Sequence, residues 1–369
     1  QLVDALQDLQ DALEDMYDAD YQVQFEQAPE SLFGYDLFSN QGTEELYDRI
    51  NIAGQPYDIP WKSIASNAIS EPILARKIGE EAFGADIQFE NNLPPPVELN
   101  STKINEQLKS LAFSGKNHGE THQVYAYQEQ GDSLKIAGKL NVVTYDPIDL
   151  NVTIIETNGT RLPDGLNLQD SLQKVFGKAI VNLTDIEYLP LGESPELSFQ
   201  EDIETGLLTN YTDEMEALID LINDPEDDRY YIFLIGNHVN ATKLGYMPRG
   251  RQFGFIFVGN HGENAGRALT KTIAHELGHG AFKLRHTKEI IDGYSPPISS
   301  PLLMDNDPHG KHLTYYEWNQ IHFPQDNWTL FDEDEEGEMV TSLDFEEVEI
   351  IQTPYVYSSD SPICPDSYF

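Results

Sequence analysis

The chain has 369 residues, with 22 Lys and Arg against 64 Asp and Glu, a formal charge of −42 and a single cysteine. The length suits roughly two or three domains, each able to bury a core, and no apolar run approaches the ~18 residues of a membrane span. The charge opposes nucleic acid and anionic lipid, whose binding needs clustered Lys and Arg, and a lone Cys364 rules out an intrachain disulfide framework.

Gln1 opens the chain without a basic segment followed by an apolar one, so it reads as a processed product or a piece excised from something longer. Leu2, Leu6, Leu9, Leu13 and Met16 recur at helical spacing, which predicts an amphipathic helix over residues 1–20. Helices are also expected over 61–83, interrupted at Pro72, and over 102–111; Pro94-Pro95-Pro96 marks a stiff connector. His118 and His122 are four apart, but Gly119 and the strand-like HQVYAY argue against a helix aiming both at one metal. From about residue 133, SLKIAGKLNVVTY and LNVTIIET read as strands, LNLQDSLQKVFGKA as a helix and AIVNLTDIEYL as a strand. TDEMEALIDLI reads as a helix with Thr212 as its N-cap. Two short apolar strands follow, YYIFLIG and QFGFIFVG, then a helix over 264–281 and a loop-rich remainder with one short helix. Residues 332–338 are nearly all acidic and read as a solvated linker. The expected organisation is a mostly helical region over 1–130, an α/β domain over 131–330 and an acidic tail over 331–369.

The helix over 264–281 carries the chemistry. His275-Glu276-Leu277-Gly278-His279 is an H-E-x-x-H motif, and residues four apart lie one turn above each other, so both imidazoles can reach one zinc ion. Glu276 sits about 100° further round, placed to take a proton from water without ligating the metal. Leu269, Ile273 and Leu277 lie on the opposite side and can bury against a sheet.

IAHELGHGAFKLRH followed by PLLMD resembles the metzincin clan of zinc metallopeptidases. GYMPRGRQFGFIFVGN and the later YYEWNQIH are similar to zincin modules of large bacterial surface or toxin-like proteins. The resemblance spans about residues 135–330, with only the helix and Met304 specific. It implies a zincin-like catalytic domain with a mixed twisted sheet, a third histidine ligand beyond the helix, and Met304 in a tight turn beneath the metal. Two departures stand out: Arg285 holds the usual place of the third histidine, with His286 one later, and Phe282 replaces the usual turn glycine. An extra residue in the turn, accommodated by Gly280, would still bring His286 to the metal. His309, His312 and Glu317 are the rival ligands, and His312, Tyr315 and Tyr316 the candidates for oxyanion or substrate contacts.

Smaller features fit less well. Asp305-Asn306-Asp307 suggests calcium, yet Tyr316 stands where an EF-hand loop closes with glutamate. His238 and His261, each after an apolar strand, are candidates for a second metal, and Cys364 for a zinc cap. The leading expectation is a secreted or cell-surface zinc endopeptidase, with Glu276 as base and basic peptides drawn by the negative field. Its rivals are a zincin-shaped adhesive module without turnover, and a role for residues 1–130 as a pro-segment masking the cleft.

Overall fold

The computed structural model describes residues 16–37, 47–79, 87–91, 100–105, 107–192, 211–236, 242–262, 266–290, 300–307 and 310–324. The first part of the chain is built from strands: β1 (Gln22–Gln27), β2 (Tyr35–Asp36), β3 (Arg49–Ile52), β4 (Gln55–Asp58), β5 (Trp61–Ala65) and β6 (Glu71–Ile78). These are followed by β7 (Ile87–Asn91), β8 (Asn100–Asn105), β9 (Leu108–Phe113), β10 (Thr121–Gln130) and β11 (Ser133–Tyr145). They form a four-stranded sheet in the order β1-β6-β9-β8, a five-stranded sheet β2-β5-β11-β10-β7, and the hairpin β3-β4. Val23, Phe25, Ile73, Ala75, Leu111, Phe113, Val124 and Leu140 fill a shared core between them.

The expected architecture, a mostly helical N-terminal region ahead of a zincin-like α/β domain, is therefore overturned: the chain is largely β, in several sheets. The physical reason lies in residues that break the polar-out rule. Along β6 the buried positions are Glu71, Ile73, Ala75 and Lys77, a strict period of two whose ends are charged and so read as a helix's polar face. Residues 102–111 are likewise two antiparallel strands, β8 and β9, joined at Asn105, whose side chain accepts from Gln107 N at 2.9 Å. His122 stands on β10 rather than a helix. Residues 1–15 and the tail from 325 onward lie outside the described residues.

The second part contains β12 (Ile148–Thr157), α1 (Leu168–Phe176), a 3-10 turn at Gly177–Ala179, β13 (Val181–Leu191), α2 (Asp213–Ile219) and β14 (Arg229–Ile235). It continues with β15 (Gly245–Tyr246), β16 (Phe253–Phe257), α3 (Gly266–Phe282), α4 (Thr287–Ile290) and α5 (Tyr315–His322). Its sheet runs β13-β12-β14-β16-β15, parallel except for the edge strand β15. Both faces are covered, which is why β14 and β16 are continuously apolar. Ile232, Leu234 and Ile256 face α1 and α3, whereas Phe233, Phe255 and Phe257 face Met215 and Leu218 of α2. Thr212 caps α2, its hydroxyl accepting from Met215 N at 3.3 Å. Among the described residues no helix is long and apolar enough to cross a membrane.

The expected boundary at residue 130 falls in the hairpin β10–β11, where ten residue pairs from Thr121↔Val143 to Gln130↔Ser133 hold one sheet together. Ala65, Val143 and Tyr145 of that sheet also belong to the core around α1 and α3, so the two parts share packing. Between the first two sheets lies a buried ion pair, Lys62 Nζ to Glu71 Oε1 at 2.7 Å, with Ser31 Oγ and Phe33 N also donating to Glu71. Lys62 completes its shell on the carbonyls of Gly34 and Ser63. Burial pushes the Lys62 ammonium down to about 8 even against the opposing pull of Glu71.

A charge stranded in this position is costly, whereas an apolar replacement of both partners is not. Glu71→Ala is expected to lower unfolding stability by about 3–5 kcal/mol in urea titration, and Lys62→Met with Glu71→Leu to recover most of that loss. Equal stability of Glu71→Ala and the native chain would refute the assignment.

Candidate metal centre

Helix α3 is buried over nearly its whole length because it crosses the sheet: Leu269, Ile273 and Leu277 pack on the strands, while His275, Glu276 and His279 are buried on other sides. The chain leaves the helix at Lys283, whose φ of 56° turns the backbone; Lys283 N reaches His279 O and Leu284 N reaches Gly278 O, each at 3.0 Å. That turn delivers His286, also buried, back beside the helix. The conformational freedom expected at Gly280 is not used. Gly280 stays helical, and it lacks a side chain because a Cβ there would lie 2.8 Å from the backbone oxygen of Arg251, with Met247 also against it.

His275, His279 and His286 converge. His275 Nε2 lies 3.1 Å from His279 Nε2 and 3.2 Å from His286 Nε2, and all three donors fall within 4.8 Å of one another. Behind each ring stands an oxygen: Leu303 O at 2.8 Å from His275 Nδ1, Leu284 O at 2.8 Å from His279 Nδ1, and Glu289 Oε1 at 3.0 Å from His286 Nδ1. Carbonyl and carboxylate oxygens only accept, so each Nδ1 carries the proton and each Nε2 presents a lone pair. The Lys271 ammonium is 3.4 Å from His275 Nδ1 but 2.7 Å from Asp305 O; it donates to the carbonyl, since the histidine nitrogen is already a donor. Burial, followed by the neighbouring cations and imidazoles, holds His275 and His279 well below the usual histidine range, so both are neutral.

Three lone pairs facing one another repel unless a cation lies between them. Tetrahedral zinc at ~2.0–2.1 Å from each nitrogen would hold the nitrogens about 3.3 Å apart, close to the separations found here. Neutral imidazoles with hydrogen-bonded Nδ1 protons are suited to zinc, and three protein donors leave a fourth position for water or substrate. The residues fit the metal.

The remaining candidates take other places. Met304 is fully buried in the Leu302–Asp305 turn under α3, its Sδ 2.9 Å from where a Cβ on Gly278 would stand. Leu303 of the same turn supplies the carbonyl behind His275. Glu276 is fully buried beside β15, where a Cβ on Gly245 would come within 2.7 Å of its Oε1. His312 does not join the histidine group: its Nε2 bonds Asp36 Oδ1 at 3.0 Å, while its backbone oxygen accepts from Leu303 N. Tyr315 stacks on Trp61 with ring centroids 3.5 Å apart, and Tyr316 is exposed. Glu317 closes a capping box with Thr314 and is pushed up to about 7 by burial, against the hydrogen bonds that favour its charge. Asp305 and Asp307 bind Ser300 Oγ and Ser300 N rather than forming an open acidic loop. His261 bonds Phe257 O and Thr272 Oγ1. His238, His309 and Cys364 lie outside the described residues.

Glu289 was not singled out in the sequence, although its place three residues after His286 in a helical turn was a usable signal. Lys271 carried a similar one, standing a turn before His275 on the same helix face. Removing the carboxylate behind His286 is expected to weaken zinc binding about 10–100-fold. Competition of Glu289→Ala with a chromogenic chelator checks this, and an unchanged affinity would show that His286 does not depend on Glu289.

Compared with known proteins, the chain matches no family model and no curated protein. Among solved structures it is similar to a DUF4784 family protein from Bacteroides caccae, at 12% identity over 24% of this chain and 23% of that one, with a TM-score of 0.15. A likeness at that score assigns neither fold nor function.

Proposed function

We propose that this protein is a zinc-dependent endopeptidase, with His275, His279 and His286 holding the metal and Glu276 as general base. The observation that carries the reading is the convergence of three Nε2 lone pairs whose Nδ1 protons are all committed elsewhere. The resemblance of the H-E-x-x-H helix and Met304 turn to metzincin peptidases supports the same chemistry. Zinc on three neutral imidazoles supplies a Lewis acid that acidifies water toward a pKa of ~7 and polarises a carbonyl.

The protein's own residues supply the rest. Glu276, one position after the first histidine, takes a proton from the attacking water as its oxygen bonds the scissile carbon, then returns that proton to the departing amine nitrogen. Water is thereby divided between the two new ends, and no covalent acyl-enzyme is needed. Buried walls around the carboxylate strengthen its electrostatics relative to open water. A chain charge of −42 draws basic peptides over long range.

Two linked measurements test the reading. The purified chain is expected to hold one zinc per molecule, and Glu276→Gln to keep that zinc while losing peptide hydrolysis by at least ~100-fold. A chain without stoichiometric zinc, or undiminished cleavage by Glu276→Gln, would falsify the mechanism. In the same assay, kcat/KM for a basic peptide is expected to fall as salt rises while a neutral peptide changes little. Parallel salt curves would remove the steering.

A further inference from the structure

A cavity of about 230 Å³ lies where α1, the segment after the Met304 turn and the N-terminal sheets meet. Its walls include Lys174 from the last turn of α1, Lys178 from the 3-10 turn, Lys311, His312, Gly34 and Trp318. In a chain with 64 acidic residues, the expected neighbour of a lysine is a carboxylate. Here three lysines line one cavity instead.

Each has only a partial counter-charge. Lys174 pairs with Asp170 at 2.7 Å, but both side chains are largely in solvent, where such pairs are weak. Lys178 feels Glu71, which is already bonded to Lys62 at 2.7 Å, and its own ammonium reaches only Leu32 O, at 3.4 Å. Lys311 is held below the usual lysine range by burial and then by the charges of Arg267 and Lys174, both cations. His312 leans the other way: burial pulls it down, but the hydrogen bond and charge of Asp36 outweigh that and raise it above the ordinary histidine value. Asp36 is itself fully buried, taking bonds from Tyr47 Oη, His312 Nε2 and Tyr315 N.

A second, independent feature is a donor without an acceptor. Trp318 is fully buried, and its indole N–H has no hydrogen-bond partner among the described residues. The ring packs against Gly34 through Cζ2 and Cε2, and both residues line the cavity. Buried donors are normally satisfied, and this one sits among excess positive charge.

We propose that this cavity is a binding site for a small multiply charged oxyanion, inorganic phosphate or a phosphate monoester, held by Lys174, Lys178 and Lys311. Lysine ammoniums bind phosphate as point charges, and a dianion balances three of them better than one carboxylate does. The volume is below the roughly 300–1,000 Å³ of sites for drug-sized ligands, which favours an anion with at most a small ester group. The assignment is independent of the metal reading, because none of its residues belongs to the histidine group.

The test is calorimetric titration of the full chain with inorganic phosphate at low ionic strength. One saturable site is expected, weakened at least tenfold in Lys311→Gln and in Lys178→Gln and unchanged in Arg161→Gln, an exposed cation elsewhere. Acetylation footprinting of the unaltered chain gives a readout that does not rely on variants folding: phosphate is expected to protect Lys311 and Lys178 but not Lys116. Glycerol phosphate as a second titrant separates the sources, tighter binding assigning the ester and weaker binding the free anion. Absence of saturable binding, native affinity retained in both lysine variants, or no protection of Lys311 would overturn the site.

Discussion

An imidazole that gives its Nδ1 proton to an oxygen must turn a bare electron pair outward at Nε2. Placing two such pairs 3.1 and 3.2 Å from a third, that of His275, is unfavourable unless positive charge lies among them. The surrounding structure enforces this arrangement from three directions. A core-packed helix fixes His275 and His279, the left-handed residue Lys283 swings His286 into place, and the Met304 turn brings Leu303 O behind His275. All of them set where the nitrogens point.

The same turn ties the second part of the chain to the first. Leu303 N binds His312 O, the His312 ring binds Asp36 of β2, and Asp36 also accepts from Tyr315 N. Trp61 of β5 stacks on Tyr315, and Gly34 N binds Lys178 O. A short relay of hydrogen bonds thus runs from the N-terminal sheets through the turn to a histidine of the cluster. Asp36 tolerates full burial because its oxygens meet three donors, Tyr47 from one segment and His312 and Tyr315 from another.

How much of this was legible in the sequence varies along the chain. Helix α3 was readable because Leu269, Ile273 and Leu277 repeat on one side while the H-E-x-x-H residues occupy another, so period and motif agree. The apolar runs that became β14 and β16 were equally plain. The first third was misread because its inward-facing positions include Lys62, Glu71 and Lys77, and Lys62 and Glu71 are buried by pairing across two different sheets. No local pattern reveals that Lys62 on one sheet will meet Glu71 on another. The turn after α3 failed for a different reason: glycine signals conformational freedom, yet Gly280 is required by the close approach of the Arg251 backbone oxygen, and the positive φ falls on Lys283. His312 was grouped with the metal by residue type alone, whereas Asp36, 276 positions earlier, decides where its ring goes.

The placement of β11 bears on what the N-terminal region can be. This thirteen-residue strand is sandwiched between β5 and β10, both contributed by the first 130 residues. Detaching that region at residue 130, as maturation of a latent zymogen would, strips hydrogen-bonding neighbours from both flanks of the strand and bares Leu140, Val142 and Val143 to water. A naked apolar ribbon of that kind invites self-association rather than activation. The N-terminal sheets thus supply both hydrogen-bonding neighbours of β11 and part of its apolar cover.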